Sequence, residues 1–214
     1  MQGLTFDHLL FIFKGAGWTI LLSMMGFAGG ALLGLPLALA RAGRRAWLSR
    51  AAGVFISVVQ GVPLPVIMFI VYFGISATGF DLPALVAAGL ALTAYAGAYL
   101  GEIWKGCIQA VPRTQWEAAD CLALTPVQTA VYVILPQAWR IAIPPTVGFL
   151  VQVVKNSSYA VVIGFFDLTY SSRVVNNSTF EPFIVFSIAA LVYFAMCYPL
   201  SRLAARMEQR YKRG

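Results

Sequence analysis

Pro112-Arg-Thr-Gln-Trp-Glu-Ala-Ala-Asp-Cys-Leu-Ala-Leu-Thr-Pro-Val-Gln-Thr-Ala-Val-Tyr-Val-Ile-Leu-Pro136 is the longest weakly apolar interval in the chain, and its reading decides the rest. Thr114 followed three residues later by Glu117 has the form of a capping box, in which hydroxyl and carboxylate each satisfy an unpaired backbone amide at a helix start. A second box follows, with Thr125 as cap, Pro126 at the first helical position and Gln128 three residues after the cap. Pro136 has no amide hydrogen and a ring that crowds the preceding turn, so the second helix is expected to end there. The pattern predicts two short helices joined by a tight turn at Ala123-Leu124. A rigid helix pair between apolar segments has the form of a docking device.

Composition sets the class. The 214 residues are 60% hydrophobic and 11% charged, with a mean hydropathy of +0.79. Soluble domains carry about 25% charged residues, so this is an integral membrane protein of one domain. The net charge of +7 then reports on topology before any affinity for nucleic acid. No basic residue precedes the first apolar residues, so the N-terminus lacks the form of a signal peptide. Cys107, Cys121 and Cys197 have no metal-ligand spacing, and His8 stands alone.

A span needs about 20 mainly apolar residues. Five intervals qualify: about Trp18 to Ala40, Ala51 to Ile75, Pro83 to Gly101, Ile141 to Ile163 (with Pro144-Pro145 at its start) and Phe183 to Leu203. An odd number puts the two termini on opposite sides. Arg41, Arg44, Arg45, Arg50, Lys105, Arg113, Arg140, Arg202, Arg206, Arg210, Lys212 and Arg213 fall on one face, and only Lys14 and Arg173 on the other. Asp7, Asp81, Asp167 and Glu181 also fall on the sparsely basic face. The positive-inside rule therefore places the N-terminus outside, and the helix pair and C-terminus in the cytoplasm.

Polar and small residues mark the interior. Gly26, Gly30 and Gly34 recur at four-residue spacing, as do Gly97 and Gly101, which lets helix backbones approach closely within one bundle or across a subunit interface. Gln60-Gly-Val-Pro-Leu-Pro65 breaks the second span, which is tolerated where a helix is buried in protein or lines a cavity. Lys155-Asn156-Ser157-Ser158 is the most polar run within any span. A lysine facing lipid costs about 2.5–3.5 kcal/mol on insertion scales, so it is expected to face a cavity, a partner or an interface. Glu102, at the inner end of the third span, is expected at the membrane interface.

No G-x-x-x-x-G-K-[ST] phosphate loop, H-E-x-x-H or G-x-S-x-G occurs. No carboxylate sits at the middle of a span, where an ion-coupled carrier commonly places one. The chain thus offers neither an ATP site nor an ion-coupling site, and energy for uphill transport would arrive from a cytoplasmic partner. An ion-coupled carrier or channel working alone is the alternative.

Glu117-Ala118-Ala119, Leu122 and Ile134-Leu135-Pro136 resemble the EAA loop of type I ABC importer permeases, and more closely those of the polar amino acid (histidine/glutamine permease) family. Gly61-Val-Pro-Leu64, Ala98-Tyr-Leu-Gly-Glu-Ile-Trp-Lys-Gly106, Ile108-Gln-Ala-Val-Pro112, Leu135-Pro-Gln-Ala138 and Lys155-Asn-Ser-Ser158 resemble further motifs of that family, in order, across roughly Gly17 to Glu208. Five positions depart from it. Ala123 stands where glycine is usual, Gln60 and Val62 where arginine and threonine are common, Pro65 where an apolar residue is usual, and Asn156 where aspartate is common.

The resemblance implies an all-α integral membrane protein with five spans and a cytoplasmic coupling-helix pair between the third and fourth. Residues 1–16 would form a periplasmic segment, 17–208 the transmembrane domain with its coupling loop at 112–136, and 209–214 a basic cytoplasmic tail. It also implies a non-enzymatic subunit of an importer of polar amino acids in the bacterial inner membrane. The expected partners are a second permease subunit, a cytoplasmic ABC ATPase dimer that binds ATP and Mg, and a periplasmic or lipid-anchored amino-acid-binding protein. No cofactor is expected in this chain. The expected ATPase contacts are Trp116, Glu117, Ala118, Ala119, Leu122 and Ala123. The expected substrate path comprises Gln60, Glu102, Lys155, Asn156, Ser157 and Ser158. The charge asymmetry yields a direct test: a fluorescent-protein fusion at the C-terminus should fluoresce, and a phosphatase fusion there should be inactive. The reverse pattern would invert the topology.

Overall fold

Close packing of α1 (Phe6–Ala42) against α4 (Ala84–Gln109) forms the centre of the computed structural model, which describes residues 4–43 and 45–213. Arg44, counted above among the inner-face basic residues, lies outside the described residues, as do the side chains of Lys212 and Arg213 and residues 1–3 of the N-terminal segment. Gly26 faces Leu92, Gly30 faces Ala96 and Gly34 faces Leu100, so the two helices run parallel in a constant register. A Cβ on Gly26 would lie 2.6 Å from the Leu92 side chain, and one on Gly30 would press on the Ala96 methyl and come within 3.0 Å of the Gly97 backbone nitrogen. The small-residue stripe therefore serves packing inside one bundle. Such contact is what holds helices together where lipid is as apolar as leucine. Leu22, Met68, Leu92, Leu100 and Val153 fill the core around it.

Two parallel helices in one layer require a return crossing between them. The second span supplies it in two pieces, α2 (Ala46–Gly61) and α3 (Leu64–Ser76), bent by 101°. Val62 is held extended by the following proline, Pro63 occupies the cap position of α3, and Pro65 lies in its first turn, so the break follows from local sterics. The kinked single span read from sequence is thus a broken one. At 13 residues, α3 is about 20 Å long and could not cross a 30 Å hydrocarbon layer alone. Among the described residues, four helices are long and apolar enough to span, or five when the bent pair is counted as one. α7 (Leu135–Asn156) runs antiparallel to α4, with Trp104 Nε1 donating to Thr146 Oγ1 at 2.8 Å. α9 (Pro182–Arg213) returns along α7, where Val151 and Val154 pack on Cys197.

Several boundaries differ from the sequence reading. The first span belongs to a helix that begins at Phe6, where the Thr5 amide donates to His8 Nδ1 at 3.2 Å, so His8 has a capping role. The polar segment after Gly164 holds a further helix, α8 (Leu168–Thr179). Asp167, expected as an outer-face charge, is fully buried and caps α8, accepting from the Tyr170 amide at 2.7 Å. Burial pushes its carboxyl up to about 6. The adjacent Leu168 amide donates to Thr19 Oγ1 at 3.0 Å, tying this end to α1. The basic tail continues α9 to Arg213.

The helix pair forms at the opposite end, with three corrections. α5 (Arg113–Cys121) is capped two residues before Thr114, because Pro112, with φ −53° and ψ 139°, already has the backbone of a cap. Thr114 therefore sits inside the first turn. The second box is as read: Thr125 Oγ1 accepts from the Gln128 amide, and Gln128 Oε1 from the Thr125 amide, at the start of α6 (Pro126–Gln128). Pro136 does not stop this helix. A widened π-helical turn over Thr129–Ile134 precedes it, where the Leu135 amide bonds to the Ala130 carbonyl five residues back, and the chain continues into α7. The wide turn makes room for the proline ring and rotates the phase. Val127, Val131 and Ile134 have the four- and three-residue spacing of an apolar stripe that would hold this helix to the membrane domain, yet Val127 and Val131 are exposed. Ile134 alone of the three is buried, with Ala138, Ile108 and Val111.

The turn at Ala123 closes α5. The Leu124 amide bonds to the Ala119 carbonyl at 3.2 Å, five residues back, and Ala123 adopts φ +53°. This is a Schellman end with alanine in the left-handed position, a conformation that costs a non-glycine residue about 1–2 kcal/mol. Ala123→Gly should raise stability by about 0.5–1 kcal/mol, the unfolded-state entropy of glycine offsetting part of the relief. A lower melting temperature in detergent would contradict the assigned strain. Gly30→Leu should destabilise by about 3 kcal/mol, the upper range for overpacking. A monodisperse protein with unchanged melting temperature would refute the close α1–α4 contact.

Candidate functional site

The sequence-selected residues gather at two places, the helix pair and a recess at the α2–α3 break. At the helix pair, Glu117, Ala118, Leu122 and Ala123 are exposed, Trp116 is at the edge of exposure, and Ala119 is buried against the second helix. Ala118 and Ala119 thus divide between outside and inside. Leu122, Val127 and Tyr132 extend an outward apolar surface around Glu117. The pair is pinned to the bundle by Gln137, whose Nε2 donates to Gln115 Oε1 at 3.1 Å and to the Val133 carbonyl at 2.8 Å. This link joins α5 to α7 directly. Nothing in the residue spacing pointed to Gln115 as the partner of Gln137, which lies 22 residues further on.

The recess has a volume of about 480 Å³ and is lined by the broken segment from Gln60 to Pro65, by Tyr95 and Tyr99 of α4, and by Gln152, Asn156 and Tyr159. Pro63 and Pro65 have no amide to donate, so the hydrogen bonding of α2 cannot run on through the break. Tyr95 and Tyr99 lie with ring centroids 4.5 Å apart and planes tilted by 37°, and Phe149 stacks on both. Asn156 is 5% exposed, with its Oδ1 accepting from Gln152 Nε2 at 3.0 Å.

Of the six expected path residues, only Gln60 and Asn156 meet here. Lys155 instead lines a groove of about 710 Å³ between α7 and α9, with Gly148, Ser201 and Glu208, and Gln152 borders both spaces. Ser157 is buried and donates to the Val154 carbonyl at 2.9 Å, and Ser158 donates to the Lys155 carbonyl at 2.7 Å. Both serines thus return to their own helix, which explains how a polar run is housed in a span. Glu102 is held between Arg41 Nε and Lys105 Nζ, each at 3.0 Å. Arg41 also reaches the Ser49 carbonyl at 3.3 Å, so the triad joins α1, α2 and α4 at the helix-pair end. The recess tyrosines were not singled out by sequence. Their signal was two polar-tipped rings four residues apart in a span otherwise built from small residues.

Residues 26–213 match the family described as "Binding-protein-dependent transport system inner membrane component". The chain is 34% identical over 208 residues to a probable amino-acid ABC transporter permease protein, YckA of Bacillus subtilis, covering 97% of this chain and 92% of that one. It is 31% identical over 203 residues to the glutamine transport system permease protein GlnP of Escherichia coli, covering 94% and 93%. A crystal structure of an amino acid ABC transporter with histidines superposes with a TM-score of 0.90 at 31% identity, over 98% of this chain and all of that one. An inward-facing structure of the MetNI methionine ABC transporter shares the fold, with a TM-score of 0.73 at 18% identity over 95% and 99%. Nearly the whole chain takes part in each match, and it belongs to the family of inner membrane components of binding-protein-dependent transport systems, the ABC transporter permeases.

Proposed function

We propose that this chain is the membrane-spanning permease subunit of an ATP-driven, binding-protein-dependent importer of polar amino acids. The observation that carries the reading is the helix pair: a capped, outward-facing unit clamped to a span through Gln115 and Gln137. In this reading the exposed face of Trp116, Glu117, Ala118 and Leu122 seats in a cytoplasmic ATPase, with Ala119 and Ala123 shaping the turn behind it. ATP and Mg belong to that partner. Two permease subunits, the same or sister chains, pair in the inner membrane with the N-terminus outside. A periplasmic or lipid-anchored binding protein delivers the amino acid to the outer face. The names of the relatives support the substrate class, and the basic residues of the helix-pair end support the orientation.

The mechanism follows from stiffness. A flexible loop would absorb displacement, whereas helices closed by a Schellman turn and a capping box move as one body. Closure of the ATPase dimer around ATP draws two such bodies together. The Gln115–Gln137 bond passes the displacement to α7, whose other end carries Asn156 into the recess. Alternating access then takes the form of α7 moving against α4 and the broken pair. Glu117→Lys should leave membrane insertion intact and reduce ATPase co-purification and uptake at least tenfold. A Glu117→Lys complex that assembles and transports normally would remove the helix pair from its role.

A further inference from the structure

Beyond the class of polar amino acids, we infer that the recess at the α2–α3 break selects an amino acid whose side chain is uncharged, an inference that rests on reading this recess as the substrate site. None of its lining residues carries a charge. What it presents instead are amides at Gln60, Gln152 and Asn156, tyrosine hydroxyls, and the backbone of the broken segment from Gln60 to Pro65. A volume of about 480 Å³ accepts a free amino acid, falling within the range of small-molecule sites. The α-ammonium group suits the amide and backbone oxygens, and the α-carboxylate suits the amide N–H and hydroxyl donors. An uncharged polar side chain exchanges its water for the remaining amides without loss. A charged one surrenders its hydration and finds no counter-ion.

The charges closest in sequence do not supply one. Lys155 precedes Asn156 but opens into the α7–α9 groove, and Glu102, one turn beyond Tyr99, is held by both Arg41 and Lys105. Cation–π capture of a guanidinium by Tyr95 and Tyr99 is also restricted, because the two rings lie 4.5 Å apart and each stacks on Phe149. Asn156 is the decisive position. It is buried, it pairs with Gln152, it shares the recess lining with Tyr95, and it is isosteric with a carboxylate.

The test is equilibrium binding of radiolabelled L-glutamine, L-arginine and L-glutamate to the purified permease–ATPase complex without binding protein, so that only the membrane site discriminates. Glutamine should bind at least tenfold more tightly than either charged amino acid. Asn156→Asp should shift the ratio of arginine to glutamine affinity at least tenfold toward arginine, and Gln60→Glu, on the opposite wall, should shift it the same way. Both variants are judged on complexes that elute as the native one does, and either alone suffices if the other fails to assemble. If arginine or glutamate binds the native complex as tightly as glutamine while the variants shift the ratio, the site is right and the charge rule is overturned. If neither variant alters any affinity, or none of the three amino acids binds, the recess is not the substrate site and both readings fall.

Discussion

The close parallel contact of α1 with α4 is the constraint on which the remaining architecture depends. Glycine in one helix opposite alanine, glycine or leucine in the other brings the two backbones together without intervening side chains. In lipid no solvent drives helices to associate, so the dispersion gained over a long close contact has to do so. Once α1 and α4 are parallel neighbours, the chain between them must cross back, and α2 and α3 do this in two pieces. α4 then becomes the wall on which α3, α7 and the recess are built, since its other face carries Tyr95, Tyr99 and Trp104 toward α7.

The break in the return crossing links architecture to function. A straight helix there would satisfy its own backbone and present only side chains. Two prolines two residues apart forbid that, and the 101° bend opens the space beside α4 that Asn156 closes from the far side. The same economy appears at the helix pair, where Pro136 coexists with a continuous helix because the preceding turn is widened. In both places proline is accommodated rather than excluded, and each irregularity lies beside residues with a proposed role. Backbone irregularity is tolerated inside a membrane protein only where protein or a cavity receives the freed groups.

Much of this was legible in the residues. The Gly26, Gly30, Gly34 spacing announced close packing, Thr125-Pro126-x-Gln128 announced a helix start, and Ala123 marked a turn needing an unusual backbone. Less legible was anything depending on phase. Thr114 lost the cap to Pro112, whose dihedral angle already suited it, and Val127 and Val131 turned outward once the π-helical turn shifted the register. α8 was missed because it is short and polar, with its buried cap Asp167 resembling any surface acid. The candidate path was half visible: Gln60 and Asn156 meet, while Lys155, Ser157, Ser158 and Glu102 face other partners.

By itself the sequence determined the class, the all-helical architecture, the sites of the breaks and the helix pair, because hydropathy, proline chemistry and capping act over a few residues. Its charge distribution and motifs also carried the family resemblance. Which polar residues share a cavity was decided only by the tertiary structure, because neighbours on a helix diverge by about 100° per residue. Lys155 and Asn156 are adjacent in the chain and open into different spaces. Gln60 and Asn156 are 96 positions apart and line the same one.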